Sequence, residues 1–404
     1  MYICKIYNII KSERKHFKTL GLVRIMKKDI YLDNAATTKP FEEVAKKQYE
    51  VMLNYFGNPS SVHKLGVESF KVLKKSREVI AKTLNAGSDE IIFTSGATES
   101  NNFIIRGFIG ENSKVITTEI EHPSVISTFK LLEEEGVTVV YLKCNKDGEI
   151  SLEELEKEID KNTVLVSMAH VNNVIGAVQP IEEIGNIIKA KSSRAKFHVD
   201  AAQSYGKYKI DVKKLKVDLI TASAHKFHGP KGIGFTYLRK GLVPKQLILG
   251  GGQENGFRSG TENLPAIAAM AEAAEITYKK YEAVFEKVRE IKTYFAQQLM
   301  QIDGVNINNG DMKFSPFILN VSFQGLKGEV ILHSLEEKGI YVSMDSACSS
   351  KKRKKSVLEF LGRTAKEAEG SIRFSFDESV TREDIDYTIA AIKDTLKFLR
   401  RILR

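Results

Sequence analysis

From residue 89 onward the chain alternates short β-rich runs with stretches of helical period. EIIFT is followed by TESNNFIIRGFI, KVITTE by PSVISTFKLLEEE, and TVVYL by SLEELEKEI, and the rhythm continues through TVLVSMAH, IEEIGNIIKA, KFHVDAA, DLITASAHK and GIGFTYL. Strands separated by helices of this length pair in parallel through crossovers, so the central region is expected to be an α/β open sheet. A long stretch rich in Ala, Glu and Lys then spans residues 263–302 with a helical period, after which FSPFILNVSFQG restarts strands. The change of rhythm predicts three parts: a basic N-terminal extension over 1–28, a large domain over 29–265, and a connecting helix with a small α+β domain over 266–404.

Composition narrows the class. With 42% apolar and 28% charged residues in 404, the chain can bury a sizeable core, and no uninterrupted apolar stretch approaches the roughly 18 residues of a membrane span. A soluble, cytoplasmic protein with no membrane contact is expected. Cys4, Cys144 and Cys348 are far apart and odd in number, which supports neither a disulfide framework nor a thiolate zinc site. The net charge of +10 resembles that of a nucleic-acid binder until it is located. Residues 1–26 carry six Lys or Arg against Glu13 alone, and Lys351–Lys355 (KKRKK) adds five cations, so these two segments hold the whole excess. Nucleic acid is therefore expected to be an indirect partner at most. Met26 stands just before KKDIYLDNAATT, so residues 1–26 read as an upstream extension outside the fold or, alternatively, as a basic targeting segment.

Three strand ends carry chemistry. In FTSGATESNN, Gly96, Ala97 and Thr98 open a helical pattern after a strand, a place where free N–H groups and a hydroxyl can hold a phosphate; Thr98 reads equally well as a plain N-cap. In KFHVDAAQ, Asp200 ends a strand on the edge where α/β sheets bind ligands. In DLITASAHKFHGPKG, Ser223, His225 and Lys226 end another, and a lysine so placed can form a Schiff base while a nearby acid holds a pyridinium proton. The His225–His228 H-x-x-H pattern lacks a third ligand nearby, so no metal site is expected.

These blocks, with EHPSV, HVNNVIG, SAHKFHGPKGIG, GGGQENGFRSGT, SACSS and SIRFSF, stand in the order found in cysteine desulfurases, and from Asp29 to roughly Asp386 the chain resembles that family. The resemblance implies a fold-type I pyridoxal phosphate enzyme of the class V aminotransferase branch, with a mainly parallel central sheet and a smaller C-terminal α+β domain. It implies Lys226 as the Schiff-base lysine, Asp200 on the pyridine nitrogen, Gln203 on the ring hydroxyl and His122 stacked on the ring and assisting proton transfer. Ala97, Thr98, Ser223 and His225 match the phosphate cradle, and Thr261 matches a phosphate contact donated by a neighbouring subunit, which implies a homodimer. Asn173 matches a substrate and cofactor contact, Arg373 the group that grips the substrate carboxylate, and Cys348 the nucleophile.

Around Cys348, GIYVSMDSACSSKKRKKSVLEFLG passes from apolar to small polar to basic residues, the composition of an exposed loop whose cations favour thiolate over thiol. Met344 and Asp345 before Ser346, and KKRKK after the cysteine, depart from the common family pattern. SACSSK resembles more closely the desulfurases dedicated to tRNA 4-thiouridine synthesis. The expected reaction converts L-cysteine to alanine, with sulfur passing through a Cys348 persulfide to an acceptor protein of iron–sulfur cluster assembly or tRNA thiolation. A selenocysteine lyase or another class V enzyme is the nearest alternative, and an inactive sulfur-transfer scaffold is the alternative of a different kind.

Overall fold

The computed structural model describes residues 29–311, 313–344 and 355–402. The chain enters through a two-residue strand, β1 (Ile30–Tyr31), then forms helices α1 (Glu42–Asn54) and α2 (Lys64–Thr83). Glu42 and Glu43 fill the first turn of α1, where acids oppose the positive helix end, and His63 caps α2 by accepting from Gly66 N at 3.3 Å. His63 is therefore a capping residue.

The expected alternation follows: β2 (Ile91–Thr94), α3 (Ala97–Gly107), β3 (Lys114–Thr118), α4 (Pro123–Glu134), β4 (Thr138–Leu142), α5 (Leu152–Glu158), β5 (Thr163–Ala169), α6 (Ile181–Lys191), β6 (Lys196–Asp200), β7 (Leu219–Ser223) and β8 (Gly234–Leu238). The strands form one seven-stranded sheet in the order β2-β8-β7-β6-β5-β3-β4. All pairs are parallel except the two made by β8, which runs against both β2 and β7. Helices cover both faces, which is why the six residues from Thr163 to Met168 in β5 are buried without alternation. Because β2, β5, β6 and β7 point the same way, Thr94, Ala169, Asp200 and Ser223 end on a single sheet edge.

Helix α7 (Leu264–Leu299) joins the two halves of the molecule. Asn263 caps it by accepting from Ala266 N at 3.3 Å, and Pro265 occupies the first turn, where its missing N–H costs nothing. Its amino-terminal half, from Leu264 to Ala274, lies in the core of the large sheet, whereas Val288, Phe295, Ala296 and Leu299 pack into a second core. That second core is built on β9 (Val305–Ile307), β10 (Ile318–Phe323), α8 (Gly328–Glu336), β11 (Ile340–Tyr341), β12 (Ser371–Ser375) and α11 (Arg382–Ile402), while α9 (Val357–Phe360) and α10 (Ala365–Glu369) bury Leu358 and Ala368 in a separate cluster with Ile120, Val174 and Phe314. Strands β12, β10 and β9 form an antiparallel sheet in that order, and β1 pairs in parallel with β11. The first residues of the fold, Ile30 and Leu32, thus belong to the core that the last residues complete. Among the described residues, no helix is long and apolar enough to cross a membrane.

Candidate active site

A cavity of about 590 Å³ opens at the carboxyl edge of the large sheet, where it meets β12. Its lining includes Ala97, Thr98, His122, Asn173, Asp200, Gln203, Ser223, His225, Lys226 and Arg373. Ten residues read from separate blocks of sequence are thereby brought to one place. Thr261 is exposed and does not line the cavity of its own chain. Cys348, with Lys351–Lys354 of the basic run, lies outside the described residues.

One end of the cavity suits an anion. Helix α3 begins beneath it with Gly96 at φ +149°, a conformation L side chains rarely adopt. A Cβ on Gly96 would meet Ser223 Oγ at 3.3 Å, and one on Gly234 would meet Gly96 Cα at 2.7 Å, so the turn packs against β7 and β8 only as glycine. The helix end at Ala97 and Thr98, the Ser223 hydroxyl and His225 line the same cavity and are groups that could together hold a phosphate. His225 Nδ1 lies 3.2 Å from Thr37 Oγ1, and burial, followed by the charges of Lys226 and Lys231, pushes its pKa down to about 4.

Lys226 follows β7 in a short 3-10 turn and donates from Nζ to the carbonyls of Ala35 and Ala36 at 2.7 and 2.9 Å. Burial, and after it the charge of Arg373, lower its pKa to about 8 against the opposing charges of Asp200 and Asp33. Its amine is therefore available as a nucleophile near neutral pH, which an ordinary lysine is not. Asp200 is buried, with Oδ1 accepting from Ala202 N at 2.9 Å and Oδ2 from Asn101 Nδ2 at 2.8 Å.

Gln203 donates from Nε2 to Ala35 O at 2.8 Å, the same oxygen that Lys226 uses, and its Oε1 faces Lys207 Nζ at 3.4 Å. Lys207 is largely buried, and burial with the charge of Lys226 brings it down to about 7. Arg373 in β12 donates from Nη1 to Asn173 O and from Nη2 to Asp33 Oδ1, both at 2.9 Å, and its buried Nε has no partner among the described residues. Its backbone exchanges hydrogen bonds with Ser343, fixing the chain just before the Cys348 segment. Glu121, beside His122, is buried with Oε1 accepting from Thr118 Oγ1 at 2.7 Å and Oε2 from Ala169 N at 2.9 Å, and burial pushes its pKa up to about 8.

Sequence reasoning assigned no role to Asp33, Asn101, Glu121, Ser124 or Lys207. Asn101, Glu121 and Ser124 stand inside recognised blocks, but their partners lie 23 to 99 residues away in the chain, so only the fold displays what they do.

The sequence profile of the class V aminotransferases matches residues 30–388. The chain is 40% identical over 383 residues to the cysteine desulfurase IscS of Dictyoglomus turgidum, covering 93% of this chain and 97% of that protein. It superposes on a solved NifS-like protein with a TM-score of 0.87 at 38% identity, over 92% of this chain and all of the other. It also superposes on SspA, solved in complex with cysteine, with a TM-score of 0.77 at 35% identity over 86% of this chain and 98% of that one. A helix-flanked sheet with a lysine, a carboxylate and an anion cradle on its carboxyl edge is thus that of a class V aminotransferase. Within that class, the chain belongs to the cysteine desulfurase family and is an enzyme of that kind.

Proposed function

We propose that the cavity holds pyridoxal 5'-phosphate and L-cysteine, and that the protein releases alanine while carrying the sulfur as a persulfide on Cys348. The observation that carries this reading is the convergence of Lys226, Asp200 and Arg373 on one cavity that also has an anion cradle built on Gly96. The donor set fits the cofactor: Ala97, Thr98, Ser223 and His225 would hold its phosphate, Asp200 its ring nitrogen and Gln203 its ring oxygen. Asn173 and the imidazole of His122 would border the ring, and Lys226 would hold the aldehyde carbon. When bound, the group supplies an electron sink for charge that develops at the substrate Cα.

The chain supplies the rest. Asp200, anchored by Ala202 and Asn101, keeps a proton on the ring nitrogen by its charge. Lys226, with its lowered pKa, receives and returns the proton at Cα. Arg373 grips the α-carboxylate with a planar fork, fixing which bond at Cα faces the ring. Cys348 Sγ attacks the substrate sulfur: the S–S bond forms as the Cβ–S bond breaks, the electron pair passes to Cβ, and protonation there completes alanine. Ser343 is five residues before Cys348 and is tied to the Arg373 backbone, so chain length alone keeps the Cys348 backbone within about 18 Å of Ser343.

The working unit is a homodimer. This is supported by exposed apolar side chains on α1, α2 and the turn between them, including Met52, Phe56, Val62 and Phe70, with Phe56 71% and Val62 97% exposed. It is also supported by Thr261, which faces solvent in one chain and matches a contact made across subunits. Sulfur leaves to an acceptor protein of the cytoplasm, and the Lys351–Lys355 cations steer an acidic acceptor, or one already carrying tRNA, toward Cys348. Purified protein given L-cysteine and a small thiol reductant should release alanine and sulfide in equal amounts. Pyruvate in place of alanine would refute the reading.

A further inference from the structure

Asn101 is fully buried in the first turns of α3, and its side-chain amide spans two elements. Nδ2 lies 2.8 Å from Asp200 Oδ2 and 2.9 Å from Ser124 Oγ, so each of its two hydrogens has one acceptor. Oδ1 is buried and has no partner among the described residues. Turning the amide over would set that oxygen against Asp200 Oδ2, acceptor facing acceptor, and leave Oδ2 without its donor while Oδ1 kept Ala202 N; the direction of the amide is therefore fixed.

Ser124 Oγ receives one hydrogen from Asn101 and has one of its own to give. It lies 2.8 Å from His122 Nδ1, and Ser124 N, which can only donate, lies 3.1 Å from the same nitrogen. Ser124 N–H donates to Nδ1, which must therefore be an acceptor, and the Ser124 hydroxyl is left to turn its own hydrogen toward the same lone pair. A neutral imidazole with Nδ1 accepting carries its hydrogen on Nε2.

We propose that Asn101 and Ser124 are positioning residues: they transmit the acceptor character of Asp200 to His122 and hold its imidazole as the Nε2–H form, a hydrogen-bond donor toward the cleft. The proposal rests on the reading above, in which Asp200 and His122 serve one cofactor. It narrows what His122 can do, since a ring held this way presents a donor, and taking up a proton at Nε2 would first require the hydrogen to move to Nδ1 against Ser124. The two residues that flank the cofactor are then oriented by one relay, each donor in it having a single use.

The test is nitrogen-15 NMR of the holoenzyme carrying labelled histidine, with His122 identified among the eight histidines by its loss in His122→Gln. The relay predicts a protonated Nε2 and an unprotonated, hydrogen-bonded Nδ1. Ser124→Ala should shift the Nδ1 resonance and lower kcat about tenfold with little change in KM, leaving the visible band in place, and Ser124→Thr, which keeps the hydroxyl, should restore both. Asn101→Leu should shift both the His122 resonances and the visible band, because Asp200 loses a donor too. A hydrogen on Nδ1 in the unmutated protein, or His122 resonances unmoved by Asn101→Leu, would overturn the proposal. Loss of the wider reading would look different: no visible band and no alanine, with the His122 resonances still readable in the cofactor-free protein.

Discussion

Asp33 Oδ1 holds Arg373 Nη2 at 2.9 Å, joining the segment that follows β1 to the middle of β12 across 340 residues of chain. With Nη1 on Asn173 O, the pair fixes the guanidinium plane before any substrate arrives, leaving the buried Nε as a donor still to be matched. Arg373→Lys removes the fork but keeps the charge. The expected result is a KM for cysteine raised roughly 10- to 100-fold with cofactor retention unchanged, because Arg373 is no part of the anion cradle. Equal KM values in the two forms would remove Arg373 from substrate binding.

Only the neutral amine of Lys226 can attack an aldehyde. Capture of pyridoxal phosphate by the cofactor-free protein should therefore rise with pH and reach half its maximum near pH 8, well below the 10.5 of an ordinary lysine. Arg373 lowers this value and Asp200 raises it, so Arg373→Gln should move the midpoint up and Asp200→Asn should move it down. Stopped-flow absorbance at several pH values measures it. A midpoint near 10.5 would contradict the described burial of Lys226.

Much of this arrangement was legible in the sequence. Each β-rich run from EIIFT to GIGFTYL is a strand, and the helix expected over 263–302 spans Leu264–Leu299, because buried parallel strands and a long helix carry strong local patterns. Strand β1 was not legible: it has two residues, and it exists through pairing with Ile340 and Tyr341 at the far end of the chain. The membership of Ile30 and Leu32 in the C-terminal core follows from packing that no local pattern encodes. Ten cavity residues were readable as motif positions. Asn101, Ser124 and Lys207 were not, since a buried polar side chain declares its role only through partners brought near by folding.

Glu121 gives a pH signature of stability. Its carboxyl titrates near 8 in the fold against an ordinary 4.5, so the folded state binds the extra proton between these values. The stability tied to that proton is fully present below pH 4.5 and lost as pH rises through 8. Glu121→Gln does not titrate, so its advantage over the unmutated protein in urea unfolding should grow from pH 4.5 to 8, by on the order of a few kcal/mol, and stay level above. A difference independent of pH would show that Glu121 is not buried as described.

The dimer proposal predicts that Met52→Asp with Phe56→Asp, on the exposed apolar face, gives a folded monomer by analytical ultracentrifugation that holds the cofactor weakly. Thr261→Ala should weaken retention about tenfold while leaving the dimer intact. A monomer that retains full activity would contradict the assignment of Thr261 to a neighbour's site.

The most direct measurement is the mass of the Cys348 peptide after a single turnover with L-cysteine labelled in its sulfur. The account predicts one labelled sulfur atom added to Cys348 and one alanine formed per site, with the label discharged by a small thiol, and a Cys348→Ser protein that still changes its visible spectrum on adding cysteine but forms no alanine. Alanine formed at an undiminished rate by Cys348→Ser, or labelled sulfur found on Cys144 instead, would contradict it.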